Sequence, residues 1–240
     1  MVLPLYDDNP FTLPVRPVVT WLLILVNVLV FLVELGGSDA ETQAIASAFG
    51  VTPAALIGGT MPAPVLTLLT YMFIHADLGH IFGNMIFLWV FGDDVEEALG
   101  RGRFLIFYLL CGVIGALAFV ASDPTFDGPL IGASGAISGV VIGYVMWRPC
   151  AKVTVLISVI PVRISAFWVI GAFALIQVWN LESAGKSDVA YWCHLGGMIA
   201  GAVLFPLMKL PFVQLFECVR EPHYPAKVPV GRFAERDPDG

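Results

Sequence analysis

Four polar side chains within apolar segments of this sequence have the types that acyl-transfer chemistry requires: Ser134, His194, His80 and Asn84. A serine hydroxyl is a poor nucleophile until a base removes its proton, and a neutral imidazole is the usual base near pH 7. The oxyanion formed when a carbonyl is attacked then needs hydrogen-bond donors. We therefore predict Ser134 as the nucleophile and His194 as the general base. The predicted oxyanion hole consists of His80, Asn84 and the amide of Ser134, which lies near a helix N-terminus.

No carboxylate in the sequence is placed to act as a third member of this site. Asp93 and Asp94 follow Asn84 along one helix and lie roughly 14 Å deeper. We therefore expect a serine–histidine dyad. His80 and His194 are half of a possible zinc site, but their layer offers no carboxylate or thiolate to complete the ligand set. We predict neither a metal nor another cofactor.

Other polar residues in the apolar segments have ordinary structural explanations. A serine inside a helix usually bonds back to a carbonyl one turn earlier, and this is our interpretation of Ser138. His75 is expected to make a structural hydrogen bond at the start of a helix. Side-chain amides at membrane depth usually join helices to each other, which is our interpretation of Asn27, Gln177 and Asn180.

The elements that must position the site are membrane helices. The chain has 240 residues, of which 58% are hydrophobic and 13% charged, and its mean hydropathy is +0.85, whereas soluble domains carry about 25% charged residues. A spanning helix needs roughly 20 mostly apolar residues. We predict six spans, near Pro17–Leu35, Leu78–Phe91, Phe104–Ala121, Leu130–Trp147, Ile164–Val178 and Ala190–Leu210. Each even-numbered span enters from the outer face and carries its unusual polar group within its first turns, so these groups share one layer open to the outside.

Glycines at a spacing of four indicate close helix packing, and they occur at Gly135, Gly139 and Gly143 and at Gly197 and Gly201. Ser134 lies roughly 100° to 180° around its helix from the first of these stripes. Only a central fourth helix, contacted on all sides, would bring both the stripe and the serine against neighbours.

Charge distribution predicts the topology. All but one of the 12 lysine and arginine residues fall on the predicted inner side, and the exception is Lys186. The positive-inside rule therefore predicts that both termini are cytoplasmic. The formal net charge of −7 and the lack of a basic cluster argue against nucleic acid as a partner. The first apolar stretch lacks a cleavage site and is predicted to be a retained helix.

The chain is predicted to contain one membrane domain, residues 17–210, between a cytoplasmic segment, 1–16, and a mobile cytoplasmic tail, 211–240. The long outer loop between the first two spans has apolar patches and should pack on the bundle. The apolar run from Val153 to Val162 is too short to cross and is expected to be an interfacial or buried part of an inner loop. The four cysteines, Cys111, Cys150, Cys193 and Cys218, are assigned no disulfide.

Three motifs and one acidic segment resemble the rhomboid intramembrane serine proteases: Gly132-Ala-Ser-Gly135, His75-Ala-Asp-Leu-Gly-His-Ile-Phe-Gly-Asn84, Ala190-Tyr-Trp-Cys-His-Leu-Gly-Gly197, and the acidic turn Phe91-Gly-Asp-Asp-Val-Glu-Glu97. The resemblance implies an all-α fold with a six-helix transmembrane bundle and a long outer loop between helices 1 and 2. It also implies the same site roles for Ser134, His194, His80 and Asn84. The implied activity is cleavage of transmembrane protein substrates near the outer face of, most simply, a prokaryotic inner membrane.

Three departures from the family pattern accompany this resemblance. Ser138 stands where some members carry a tyrosine that stacks on the catalytic histidine, so the His194 ring needs another support. The outer loop has no Trp-Arg pair, and Cys193 replaces a common alanine. The alternative is a non-catalytic rhomboid-like protein that binds membrane helices without cutting them; inactive relatives typically lose the serine or the histidine, and both are present. Beyond membrane substrates and lipid, the partners, including the oligomeric state, are left open.

Overall fold

A computed structural model describes residues 2–8, 16–59, 64–181 and 190–218 and shows a helical bundle with one small sheet. Lys186 and the predicted tail beyond residue 218 lie outside the described residues. The helices are α1 (Val18–Leu35), α2 (Asp39–Phe49), α3 (Pro53–Gly58), α4 (Pro64–Thr70), α5 (Leu78–Leu99), α6 (Arg101–Ser122), α7 (Ser134–Trp147), α8 (Ala166–Trp179) and α9 (Tyr191–Met208). The strands are β1 (Val2–Asp7), β2 (Lys152–Ile157) and β3 (Ile160–Ser165).

Three of the described helices, α1, α6 and α9, are long and apolar enough to cross a membrane. A fourth span results if the segments Val65–Phe73 and Leu78–Leu99, which meet at 90°, are taken together. The helices α7 and α8 are apolar but have only 14 residues each. The predicted helical membrane bundle is therefore confirmed, and the count of six spans stays a prediction.

The second predicted span is too short, because α5 continues through the acidic segment to Leu99, and that segment is helix rather than turn. Glu96 has no exposed surface. Its carboxylate accepts hydrogen bonds from the amides of Val19 at 3.0 Å and Thr20 at 2.7 Å, and from the Thr20 hydroxyl at 2.8 Å. These amides belong to the first turn of α1, which has no side-chain cap of its own. Glu96 thus satisfies the start of α1, and its partners make the buried carboxylate tolerable.

The helix that begins at Ser134 is central, as the sequence required. It contacts α5, α6, α8 and α9, and ten of its 14 residues are buried. By contrast, only three of the 14 residues of α8 are buried. The bundle is therefore tight around α7 and open along α8.

The long segment between α1 and α5 packs on the bundle, as expected. Val51 is fully buried and forms an isolated antiparallel bridge with Leu130, just before α7. The Thr70 hydroxyl donates to the carbonyl of Phe49 at 2.6 Å, which joins α4 to α2. Hydrogen bonds from Ser38, which caps α2, lower the pKa of Glu41. This segment therefore packs against the residues that lead into α7.

A three-stranded antiparallel sheet, in the order β1-β2-β3, was not predicted. The apolar run expected to be an interfacial loop forms most of the hairpin of β2 and β3, in which Val155 pairs with Val162. Val153 and Val155 are fully buried, while Ser158 takes a positive φ of 59° in the turn. The high content of β-branched residues in Lys152–Ile157, among them Val153, Thr154 and Val155, is the signal for this strand. The sheet adds to the all-α bundle that the sequence predicts.

The prediction of no disulfide is wrong, because Cys150 and Cys218 are bonded. The chain after α9 turns back to the C-terminal end of α7, where the amide of Phe216 donates to the carbonyl of Met146 at 2.7 Å. Arg148 and Glu217 form an ion pair at 3.3 Å. Residues 211–218 are therefore packed on the bundle, contrary to the expectation of a mobile tail there, and this return brings together two cysteines that are 68 residues apart.

One end of the bundle, which we call the inner end, gathers the basic residues of the described chain. Arg101 donates to the carbonyl of Arg16 at 3.3 Å, and Arg103 donates to the carbonyl of Met208 at 3.1 Å. The opposite end, called the outer end, carries the first residues of α5, α7 and α9. All four predicted site residues lie at the outer end.

Candidate active site

Ser134 is the first residue of α7, and the four residues before it are not helical, so the fourth predicted span begins too early. Leu130 is held by its bridge to Val51, and the amide of Gly132 donates to the carbonyl of Tyr71 at 2.9 Å. Gly132 has a φ of +108°, which L-amino acids with side chains rarely adopt. The four residues before Ser134 thus place its amide among the unpaired N–H groups of a helix N-terminus.

The structure brings the two predicted catalytic residues into contact. The Nε2 atom of His194 lies 2.7 Å from the Oγ atom of Ser134, within the range of a strong hydrogen bond. His194 is in the first turns of α9, and both helices run from the outer end toward the inner end. This geometry allows the imidazole to accept the serine proton directly.

Glycine contacts between α7 and α9 make this distance possible. A Cβ atom on Gly197 would overlap the carbonyl oxygen of Gly135, and one on Gly201 would overlap that of Gly139. The two predicted stripes therefore pack against each other with backbones in contact. Because His194 lies one turn before Gly197, its ring passes above this contact and reaches the serine at the helix start.

His80 and Asn84 face the residues that precede the serine. A Cβ atom on Gly132 would lie 2.5 Å from Nε2 of His80 and 3.6 Å from Nδ2 of Asn84. Asp77 accepts the amide of His80 at 2.9 Å and so caps α5. Both predicted donors thus lie beside the segment that leads into Ser134. An oxyanion bound to the Ser134 amide would therefore lie near both side chains.

His75 is part of this layer, in the structural role that the sequence suggested. It is only 1% exposed, and its Nε2 atom lies 3.0 Å from Nδ2 of Asn84. The rings of His75 and His80 meet edge to face with centroids 5.1 Å apart. His75 therefore holds the Asn84 amide in place.

Gln177 of α8 makes a contact that the sequence did not identify as part of the site. Its Oε1 atom lies 2.8 Å from Nδ1 of His194. Gln177 was expected to join helices, and it does join α8 to α9, but the partner is the catalytic candidate itself. Which residue of α9 it meets depends on the rotation of α8, which no local sequence pattern defines.

A cavity of about 560 Å³ lies beside this layer at the outer end. Its walls come from the end of α1, from α2 and from residues 74–78, and they include Glu34, His75 and Ile131. Glu34 accepts the amide of His75 at 3.3 Å. The cavity thus borders the residue that holds Asn84 and the segment that leads to Ser134.

Among the described residues, no group of three or more histidine, cysteine, aspartate or glutamate side chains is arranged to hold a metal ion. Ser134 and His194 are instead hydrogen-bonded to each other, and the side chains of His80 and Asn84 both contact His75. Their arrangement provides a hydroxyl, a base in contact with it, and a helix N-terminus flanked by two further donors. These are the parts needed for acyl transfer through a tetrahedral intermediate.

Comparison with known proteins matches residues 62–210 to the Rhomboid domain family. Rhomboid protease GluP of Bacillus subtilis is 30% identical over 197 residues, which are 82% of this chain and 36% of that protein. Rhomboid protease GlpG of Salmonella newport is 29% identical and covers 54% of this chain and 43% of its own length. Rhomboid protein 1, mitochondrial, of Saccharomyces cerevisiae is 30% identical, and the match covers 55% of this chain and 38% of that protein.

The chain thus spans well under half the length of each of these relatives. The family match nevertheless covers most of the chain and contains every residue of the site, from His75 to His194. This chain therefore belongs to the rhomboid family of intramembrane proteases.

Proposed function

We propose that this chain is an intramembrane serine endopeptidase in which Ser134 is the nucleophile and His194 the general base. The observation that carries the proposal is the 2.7 Å contact between Nε2 of His194 and Oγ of Ser134 at the start of α7. Its substrates are transmembrane proteins, cleaved at peptide bonds in or near their membrane segments. This substrate class rests on family membership, while the names of the bacterial relatives, Rhomboid protease GluP and Rhomboid protease GlpG, support protease activity.

In the acylation step, Nε2 of His194 takes the hydroxyl proton while Oγ of Ser134 attacks the carbonyl carbon of the scissile bond. The resulting oxyanion accepts hydrogen bonds from the Ser134 amide and from the side chains of Asn84 and His80. The imidazolium then protonates the leaving amine, and the C–N bond breaks to leave an acyl-enzyme. Water, deprotonated by the same imidazole, hydrolyses the ester and regenerates Ser134.

The topology proposed with this activity places the inner end of the bundle in the cytoplasm of a prokaryotic cell and the site at the outer side of its inner membrane. The basic residues gathered at the inner end, among them Arg16, Arg101 and Arg103, support this orientation. We further propose that residues 17–210 form the protease domain between cytoplasmic segments 1–16 and 211–240.

The test is cleavage of a model transmembrane substrate by the protein reconstituted in liposomes. Ser134→Ala and His194→Ala should each abolish cleavage while leaving thermal stability unchanged, because nucleophile and base act as a unit. A fluorophosphonate should label Ser134 covalently in the wild type and not in the His194 variant. Substantial turnover by either variant would remove the dyad assignment.

Two further arms separate the alternatives. Loss of cleavage on chelation, restored by zinc, together with no labelling of Ser134, would favour a metalloprotease. Binding of membrane substrates without cleavage or labelling would favour the non-catalytic binder.

A further inference from the structure

We propose that Gln177 is a positioning residue for His194: its Oε1 atom accepts the Nδ1–H of the imidazole and keeps the Nε2 lone pair directed at Ser134. This inference rests on the proposed function and deepens it. It adds a hydrogen-bonded carboxamide, that of Gln177, to the predicted serine–histidine dyad.

Both ring nitrogens of His194 are engaged at once. Nε2 lies 2.7 Å from the Ser134 hydroxyl and Nδ1 lies 2.8 Å from Oε1 of Gln177. A neutral imidazole has one donor and one acceptor nitrogen. Because a carbonyl oxygen can only accept, its partner Nδ1 carries the proton, and Nε2 is left as the base. The opposite tautomer would present an N–H to the serine and could not remove its proton.

The position of Gln177 within α8 indicates that the contact is specific. Besides Gln177, which is 6% exposed, the buried residues of α8 are Ala166 and Ile170. Most other large side chains of the helix, including Leu175 and Trp179, are exposed. A polar residue that is buried on a helix with so little buried surface is costly unless its hydrogen bonds are satisfied.

A carboxamide suits this environment better than the carboxylate of soluble serine proteases. An isolated buried carboxylate carries a large desolvation cost, whereas a neutral amide oxygen accepts the same N–H at much lower cost. Tyr191, an aromatic neighbour on α9, meets the His194 ring only edge-on, with 6.5 Å between the ring centroids. Gln177 therefore supplies the ring support that Ser138, in place of a stacking tyrosine, does not.

The first test compares Gln177→Leu, which removes the acceptor at similar size, with Asn180→Leu as the control. Asn180 lies just after α8, is half-buried, and bonds to the carbonyl of Ile176. Cleavage kinetics in liposomes should show a roughly 10-fold to 100-fold lower kcat for Gln177→Leu with little change in KM. Asn180→Leu should keep the wild-type kcat. Fluorophosphonate labelling of Ser134 should slow in parallel with kcat.

The second test uses Gln177→Glu, which can only accept a hydrogen bond once ionised. Among the described residues, the titratable groups beside His194 are His80 on α5 and Tyr191 on α9 itself. A carboxylate at position 177 stabilises the imidazolium, so the base becomes protonated at a higher pH. The acidic limb of the kcat profile should therefore move to higher pH, while kcat on the plateau stays within about 10-fold of the wild type. If Gln177 only filled space, Gln177→Glu would not combine a higher kcat than Gln177→Leu with this shift of the pH profile.

A third readout needs no variant. The sequence has four histidines, so ¹⁵N-histidine NMR of the wild-type protein can assign the tautomer of His194. Protonated Nδ1 supports the proposal; protonated Nε2 in the resting enzyme overturns it. Unchanged kcat in Gln177→Leu, or a Gln177→Glu variant with neither activity nor a shifted profile, also overturns it. These failures differ from failure of the proposed function, in which the wild type itself neither cleaves substrate nor reacts at Ser134.

Discussion

Gly197 of α9 lies directly against the carbonyl oxygen of Gly135 of α7, with no room for a methyl group between the two backbones. This contact is next to the serine–histidine pair along both helices. Because the obstructing atom is backbone rather than the end of a flexible side chain, neither helix can yield without moving as a whole. The separation of these helices therefore controls the distance between Ser134 and His194.

We predict that Gly197→Ala strongly reduces cleavage and lowers stability by about 1 to 3 kcal/mol through overpacking. The control is Gly83→Ala on α5, where a Cβ atom would meet nothing within 4 Å; it should be neutral or slightly stabilising. Thermal unfolding and turnover of both variants in detergent provide the comparison. Equal turnover and equal stability of the two variants would show that the contact between α7 and α9 does not control the geometry of the site.

Asn84→Ala should slow cleavage without eliminating it, because the Ser134 amide remains as a donor. The expected loss is about 10²-fold to 10³-fold in kcat. Asn27→Ala is a suitable control, since Asn27 is also a buried amide of the bundle but bonds within α1, to the carbonyl of Leu23. Unchanged kcat in Asn84→Ala would leave Asn84 with a packing role only.

Gly132→Ala should inactivate the enzyme, since the new methyl would both strain the positive φ and strike the His80 ring. Gly100→Ala separates these two effects. Gly100 also has a positive φ, of +78°, but a Cβ atom there would meet nothing within 4 Å. Gly100→Ala should therefore lower stability by about 1 to 2 kcal/mol and retain activity. Retained kcat in Gly132→Ala would contradict the placement of His80 beside the oxyanion.

Glu96→Leu should destabilise the protein by roughly 3 to 5 kcal/mol, because it leaves the first amides of α1 and the Thr20 hydroxyl without their acceptor. Glu96→Gln keeps one acceptor oxygen and should lose much less. Denaturation in detergent measures both. A Leu variant as stable as the Gln variant would indicate that water or lipid replaces the carboxylate.

Much of the site could be predicted because its residues occupy recognisable positions on apolar helices. Ser134, His80 and His194 each fall near the start of a span, and helix spacing puts His80 and Asn84 on one face. Gln177 could not be identified in this way, since its partner depends on how α8 rotates against α9. The contact of Gly135 with Gly197 likewise required the three-dimensional packing, although both stripes were visible.

The fold was harder to predict where tertiary contacts override local polarity. The acidic segment at the end of α5 looks like a polar boundary, yet Glu96 is buried because α1 supplies its donors. The bond between Cys150 and Cys218 depends on the return of the chain after α9. The pairing of β2 with β1, a strand near the distant N-terminus, has no local signal, unlike the hairpin of β2 and β3.

The length of α7 has a consequence for the surrounding lipid. With 14 residues, the helix is about 21 Å long, against roughly 30 Å for the hydrocarbon core of a bilayer. The ion pair of Arg148 with Glu217 anchors its inner end at a polar boundary, so the shortfall of roughly 9 Å falls at the Ser134 end. We therefore expect Ser134 to lie in a recess below the outer membrane surface, beside the longer helices α5, α6 and α9. A thicker bilayer should deepen that recess, so that hydrophobic mismatch between protein and lipid would control how readily water reaches the proposed acyl-enzyme at Ser134.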